Sequence, residues 1–246
     1  MSLKNKYSTE VRRELSLFPV WVPGDKIEAG DIGTLEKGVF EKQTSLGKLF
    51  PDLAFEVKET PLTNPFRYIS KDCVAGALSA STAIPTGSTP VDVDGTIEIR
   101  FGSNGGLVFA ANGITQYAID DLHDVRTFLE EQRSSWPRGY ALVTAVHKAE
   151  RFTVIISDGA EVTATIQGKA SVLHQLNLAD AGVSVTSVSN SGYQTQGQGA
   201  VTLRAYGFNL FGYGSTLAKL ESADFEDTDS PVDPFLEISA RDPNFD

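Results

Sequence analysis

The residues that decide the fold run from Asp120 to Gln167 and read DDLHDVRTFLEEQRSSWPRGYALVTAVHKAERFTVIISDGAEVTATIQ. Leu122, Val125 and Leu129 recur at helical spacing, with Phe128 on the same face. Asp120, Asp121 and Asp124 crowd the front of that helix, where carboxylates meet the positive pole of the backbone dipole. Pro137 ends it. Past Gly139 the texture turns β-branched and aromatic: Tyr140, Val143, Thr144, Val146, Phe152, Val154, Ile155, Ile156. Asp158-Gly159 reads as a tight hairpin turn, and Glu161 to Gln167 alternate as the return strand. Helix followed by amphipathic hairpin is the core of an α+β reading.

Upstream, residues 8–17 (STEVRRELSL) form an expected short helix with Val11, Leu15 and Leu17 inward, followed by an extended Phe18–Val22 and a turn at Pro23-Gly24. In residues 30–50 glycines separate the single apolar anchors Ile32, Leu35, Val39, Phe40, Leu46 and Leu49, which predicts short strands and tight turns. A phosphate loop is the alternative there, but neither GxGxxG nor GxxxxGK[ST] is present. Pro51, Pro61 and Pro65 mark a loop-rich stretch. Residues 67–84 alternate weakly, and 85–90 read as a turn. Residues 93–101 (VDGTIEIRF) alternate clearly, Ile97, Ile99 and Phe101 against Glu98 and Arg100, and 107–119 lead back to the central helix. Downstream, 169–180 read as a short helix, and 183–214 as two or more strands around a Gly/Gln/Ser loop at 190–199. The expected architecture is a twisted, mainly antiparallel central sheet with long hairpins, flanked by an N-terminal helix, a central helix and short helices.

With 246 residues, 41% of them hydrophobic, the chain can bury a large core. Its net charge of −11 is segregated: after Leu220 there are nine acids and one base, against 23 acids and 20 bases before it. The division expected is therefore one α+β domain over 1–220 and an acidic tail over 221–246. The nearly neutral body has no basic stripe for nucleic acid. There is no run of about 18 apolar residues to form a membrane helix, and the N-terminus lacks the apolar core of a secretory signal. With a single cysteine, Cys73, a cytoplasmic location is expected. Pro234, Phe235, Leu236 and Ile238 form an apolar cluster that a merely solvated tail does not need, so the tail is expected to dock.

Chemistry-bearing motifs are sparse. His123, His147 and His174 make no HxxxH or HExxH pair, no CxxC or GxSxG occurs, and Asp120/Asp121 and Glu130/Glu131 suit a helix terminus and a solvated helix face. Cys73 reads as a small apolar residue. No catalytic residue, metal ligand or cofactor is expected, and no enzyme.

Two short strings resemble a known family. Gly139 to Val146 matches the Tyr-x-x-Val-Thr-x-Val segment after the central helix of the gasdermin pore-forming domain, and VRRELSLFPV (11–20) is similar to that family's opening helix and the Phe/Ile-Pro-Val after it. Residues 183–207 resemble its Gly/Ser-rich strands, and the length resembles the short bacterial and fungal members. The resemblance implies a pore-forming cell-death effector that rests in the cytoplasm. A short C-terminal segment restrains it, with Phe235, Leu236 and Ile238 as the candidate contacts, until a protease removes that segment. It implies membrane lipid, an activating protease and further copies of the chain as partners, at the inner or plasma membrane. It also implies inserting hairpins, for which Tyr68, Ile97, Ile99, Phe101, Leu107, Phe109, Leu142, Val143, Val146, Phe152, Val154, Ile156, Val162 and Ile166 are the apolar candidates. Unlike bacterial members with a lipidated cysteine near the N-terminus, this chain has none at positions 2–10.

A membrane strand needs about 9–11 residues with one apolar and one polar face. Residues 140–157 with 160–167, and 67–84 with 93–115, are of that scale. Their half-apolar faces suit a barrel wall and equally a soluble sheet with one wet side. A soluble, non-enzymatic α+β binding or assembly module with a solvating acidic tail is the alternative.

Overall fold

The computed structural model describes residues 2–70, 73–75, 79–80, 94–102, 106–159, 162–174, 176–188, 192–208, 235–238 and 240. The elements are α1 (Leu3–Leu15), β1 (Phe18–Pro19), β2 (Asp31–Glu36), β3 (Val39–Ser45), α2 (Leu46–Leu49), β4 (Val57–Pro61), β5 (Phe66–Ile69), β6 (Cys73–Ala75) and β7 (Ser79–Ala80). They continue with β8 (Asp94–Phe101), β9 (Leu107–Ile119), α3 (Leu122–Glu131), β10 (Tyr140–Ser157), β11 (Val162–Lys169), α4 (Ala170–His174), β12 (Ser184–Val188), β13 (Gly192–Phe208) and β14 (Phe235–Glu237). The α+β architecture is the one expected, with antiparallel strands in two sheets.

The pairing overturns one expectation. The tight hairpin at Asp158-Gly159 does not form, because β10 pairs with β9, β13 and β2 in one sheet, while β11 pairs with β8 and β12 in the other. The chain passes from sheet to sheet at Ser157 instead of turning back. Four pairs of consecutive strands make the same passage side by side: β5 and β6, β8 and β9, β10 and β11, and β12 and β13. Phe66–Ile69 and Cys73–Ala75 run along β9 and β8, whose other edges run along β10 and β11. The result is a four-stranded antiparallel ribbon with one shared bend. Leu142, Val143, Val146, Phe152, Val154 and Ile156 therefore belong to a strand whose partners are β9, β13 and β2, and Val162 and Ile166 to a strand paired with Ile97 to Phe101 rather than with β10.

At the bend, side-chain hydroxyls stand in for the interrupted ladder. Gly106 N–H donates to the Ser157 hydroxyl (3.1 Å) and Leu107 N–H to the Ser70 hydroxyl (3.0 Å). Ser157 and Ser70 N–H groups donate to the Gly106 and Leu107 carbonyls, each at 2.9 Å. The backbone N–H groups of Ser70, Gly106, Leu107 and Ser157 thus all have partners where the strands change sheet. Gly106 is required there by packing, since a Cβ would sit 2.6 Å from Phe101 Cδ1.

Several other expectations shift. The N-terminal helix begins at Leu3, because Ser2 caps it by accepting from Asn5 N–H, and ends at Ser16, whose left-handed backbone (φ 56°) closes it; Leu17 is buried beyond the cap. Residues 57–61, read as loop, form β4 against β9, and the Gly/Gln/Ser stretch from Gly192 is strand rather than loop. The helix expected over 169–180 is confined to Ala170–His174. The turn expected at 85–90 lies outside the described residues.

Four apolar cores follow from this layout. Inside the bend, Ile97, Ile99, Phe101, Val162, Ala164 and Ile166 pack with Leu173, Leu178, Ala179 and Val183 of the 170–183 segment. On the opposite face, Leu107, Phe109, Phe152, Val154 and Ile156 pack beneath Tyr7 and Val11 of α1, with Leu15 alongside. Val143 and Val146 join Phe18, Val20 and Phe40. Leu142 joins Val125, Leu129 and Trp136 below α3.

Candidate functional site

Two features of this fold point towards function: the bent ribbon, whose apolar faces are covered by separate elements, and the strand β14, which docks from the tail. α1 touches both. Its Lys6, 8% exposed, pairs with Asp158 at the bend (2.8 Å). Glu10 accepts from the Tyr68 hydroxyl of β5 (2.7 Å), which in turn accepts from Arg13 (3.2 Å). Burial, then the Glu10 carboxylate, pushes the Tyr68 phenol up to about 12. Ser8 donates to the Lys37 carbonyl in the β2–β3 turn (2.9 Å), and Lys4 pairs with Glu41 of β3 (2.7 Å). On the other side of the ribbon, Thr153 donates to the Leu178 carbonyl (2.6 Å) and Asn112 to Asn177 (2.7 Å), holding the 170–183 segment against the inner face.

The tail strand pairs antiparallel with β13, Phe235 opposite Phe208, Leu236 opposite Gly207 and Glu237 opposite Tyr206. The ladder continues through Ile238 N–H to the Ala205 carbonyl (2.8 Å). Only the backbones of Phe235 and Leu236 are described; Ile238 is half-buried against the core of Phe18, Val143 and Leu203. Arg204 reaches Glu237 (3.4 Å), and burial followed by the Glu237 charge raises the Tyr206 phenol. Arg12 of α1, 2% exposed, donates to the Ala240 carbonyl (3.3 Å). The same edge of β13 is capped further along by β1, Phe18 opposite Leu203 and Pro19 opposite Thr202. Pro19 is suited to this outermost position, having no N–H to offer. Two short strands from opposite ends of the chain thus cover an edge that would otherwise present unpaired backbone.

The expected inserting residues fall into separate sets. Ile97, Ile99, Phe101, Val162 and Ile166 meet inside the bend, Leu107, Phe109, Phe152, Val154 and Ile156 meet under α1, and Tyr68 lies beside the second set. Leu142, Val143 and Val146 lie in the part of β10 farthest from the bend, in two other cores. Among the α1 candidates, Val11 is buried and Leu15 partly buried in the second set.

Nothing in the sequence marks the roles of Lys6 and Arg12, and Asp158 reads there only as a turn residue, because their partners are remote and include a backbone carbonyl 228 residues away. His147 has no motif partner in the sequence. It is buried between β9 and β13, its Nδ1 3.0 Å from the Thr202 hydroxyl, with burial and then Arg204 lowering its pKa to about 4. Cys73 Sγ lies 3.0 Å from the Ser70 hydroxyl at the bend. Among the described residues no group of His, Cys, Asp and Glu is arranged to hold a metal, and no helix is long and apolar enough to cross a membrane.

No protein-family model matches the chain, and no curated protein does. Among solved structures, that of a bacterial gasdermin from Bradyrhizobium tropiciagri is similar to it, with 80% of this chain aligned to 84% of that one at 11% identity and a TM-score of 0.34.

Proposed function

We propose that the chain is a gasdermin-like pore-forming effector of cell death, held inactive by its C-terminal segment and activated by proteolysis. The observation that carries this reading is the arrangement of the bent ribbon. Near the bend, the apolar faces of its two antiparallel hairpins, β5/β6 with β8/β9 and β10/β11 with β12/β13, are covered by α1 and by the 170–183 segment, while the far part of β10 packs under α3 and against Phe18, Val20 and Phe40. Both covers can lift away without unpicking the ribbon's own ladder. β14 ties the tail to β13 and, through Arg12 and Ala240, to α1. Cleavage between Leu220 and Pro234 frees this strap. α1 and the 170–183 segment then leave the ribbon, and copies join edge to edge in a closed ring, since lipid tolerates no open sheet edge. The protein rests in the cytoplasm and acts at the inner or plasma membrane, and it needs no catalytic residue of its own. Docking of Phe235–Glu237 as a strand favours this reading over a binding module with a merely solvating tail.

The test is dye release from liposomes, with the intact chain compared to one cut at a protease site placed in 221–234. Leakage from the cut form alone is expected. If the cut chain remains folded and monomeric and causes no leakage across several lipid compositions, the binding-module reading replaces this one.

A further inference from the structure

The second sheet, β6–β7–β8–β11–β12, has two unlike faces, and register shows what each carries. Phe101 stands opposite Val162, Ile99 opposite Ala164 and Ile97 opposite Ile166, all buried inside the bend. The alternate residues face outward in rows: Arg100 beside Thr163, Glu98 beside Thr165 and then Ser187, Thr96 beside Gln167 and then Ser184, Asp94 beside Lys169. Arg100 reaches Glu98 at 3.4 Å and Lys169 reaches Asp94 at 2.9 Å. Among the described residues of these rows on β8, β11 and β12 the charged side chains are two acids and two bases, and the rest are hydroxyls and an amide; Val74 of β6 stands opposite Arg100 on its other side. In a barrel this balance has a consequence.

From this we infer that Glu98 and Arg100 set the ion selectivity of the pore, and that their mutual cancellation leaves it nearly unselective. The inference rests on the pore-forming reading. When the sheet enters a bilayer its apolar face must meet lipid, so the Arg100–Glu98 face lines the water-filled lumen. Ring closure repeats each charge once per copy, and rings of like-charged side chains select ions of the opposite charge. Glu98 and Arg100 are two residues apart on one strand, roughly 7 Å. That is within the Debye length of about 8 Å at physiological salt, so a passing ion meets the two rings as one neutral band. Asp94 and Lys169, at the end of the β8–β11 pairing, cancel in the same way nearer the mouth.

The experiment is the reversal potential across a planar bilayer under a KCl gradient, using the full chain cut at a site in 221–234. The cut wild type is expected to reverse near zero. Arg100→Gln leaves a ring of uncompensated carboxylates and moves the reversal towards the potassium equilibrium potential. Glu98→Gln moves it towards that of chloride, and the double variant returns it to near zero. Both side chains are exposed, so unchanged thermal unfolding of each variant is expected and is to be checked. If the cut chain conducts but the single variants reverse where wild type does, the lumen assignment is wrong and the pore stands. A wild-type pore that is itself strongly selective overturns the assignment as well. If the cut wild type never conducts, both readings fall together.

Discussion

Tyr7 is the largest side chain wholly enclosed between α1 and the ribbon, touching Trp21 and Phe109, and its hydroxyl has no hydrogen-bond partner among the described residues. Burial pushes its phenol up accordingly. A buried hydroxyl without a partner costs stability, so Tyr7→Phe is expected to leave the protein as stable as before or up to about 1 kcal/mol more stable, read from urea midpoints at constant slope. His147 gives the opposite kind of handle. Its folded pKa of about 4 lies below the usual imidazole value, so below pH 6.5 the unfolded chain takes up a proton that the folded chain refuses. Stability from this residue is complete above pH 6.5, falls as the pH drops towards 4, and amounts to about 3 kcal/mol at most. Denaturant unfolding at a series of pH values measures it, and His147→Gln is expected to flatten the curve over that window. Arg12 is the residue through which the tail reaches α1. Its bond to the Ala240 carbonyl is charge-assisted and buried, so Arg12→Met is expected to cost about 2 kcal/mol and to speed amide exchange at Glu237 and Ile238 in the uncut chain.

At the scale of elements, the bend is where local and long-range requirements meet. Ser157→Ala removes the acceptor of the buried Gly106 N–H and is expected to cost about 1–3 kcal/mol. Gly106→Ala, which pushes a methyl into Phe101, is expected to cost about as much by overpacking. Equilibrium unfolding in urea decides both. Legibility in the sequence follows the number of faces an element buries. β8 was readable because only Ile97, Ile99 and Phe101 turn inward, leaving Glu98 and Arg100 wet. β10 was placed as a strand, but seven consecutive residues from Ala141 to His147 are buried, so no alternation announced its partners. Asp158-Gly159 carried the composition of a hairpin turn, yet Asp158 serves as partner to Lys6, and the return of the chain is postponed past α4. The first residues of β13, Gly192 to Gly199, lie on the wet side of the ribbon and looked like loop because strand formation there comes from pairing with β10 rather than from side-chain burial. The apolar cluster at Phe235 to Ile238 stood out against its acidic surroundings, whereas the contact of Arg12 with a carbonyl had no signature in side-chain composition.

Across the molecule, the apolar ribbon faces near the bend are covered by α1 and the 170–183 segment, the β13 edge is covered by β1 and β14, and eight of the eleven net negative charges lie after Leu220. Under the proposed reading, a cut just after Leu220 removes an edge strand, the acceptor of Arg12 and eight of the eleven net negative charges together, so that one cut would suffice for activation. The central claim is that the second sheet then crosses lipid with its inner face outward. The most direct measurement places a single environment-sensitive fluorophore in turn at positions 96, 97, 98 and 99, in a Cys73→Ala background, and records emission on liposomes before and after cutting in 221–234. The account predicts that after cutting the probes at 97 and 99 report lipid while those at 96 and 98 remain in water. Equal emission at all four positions, or no change on cutting while the chain is bound to liposomes, would contradict it.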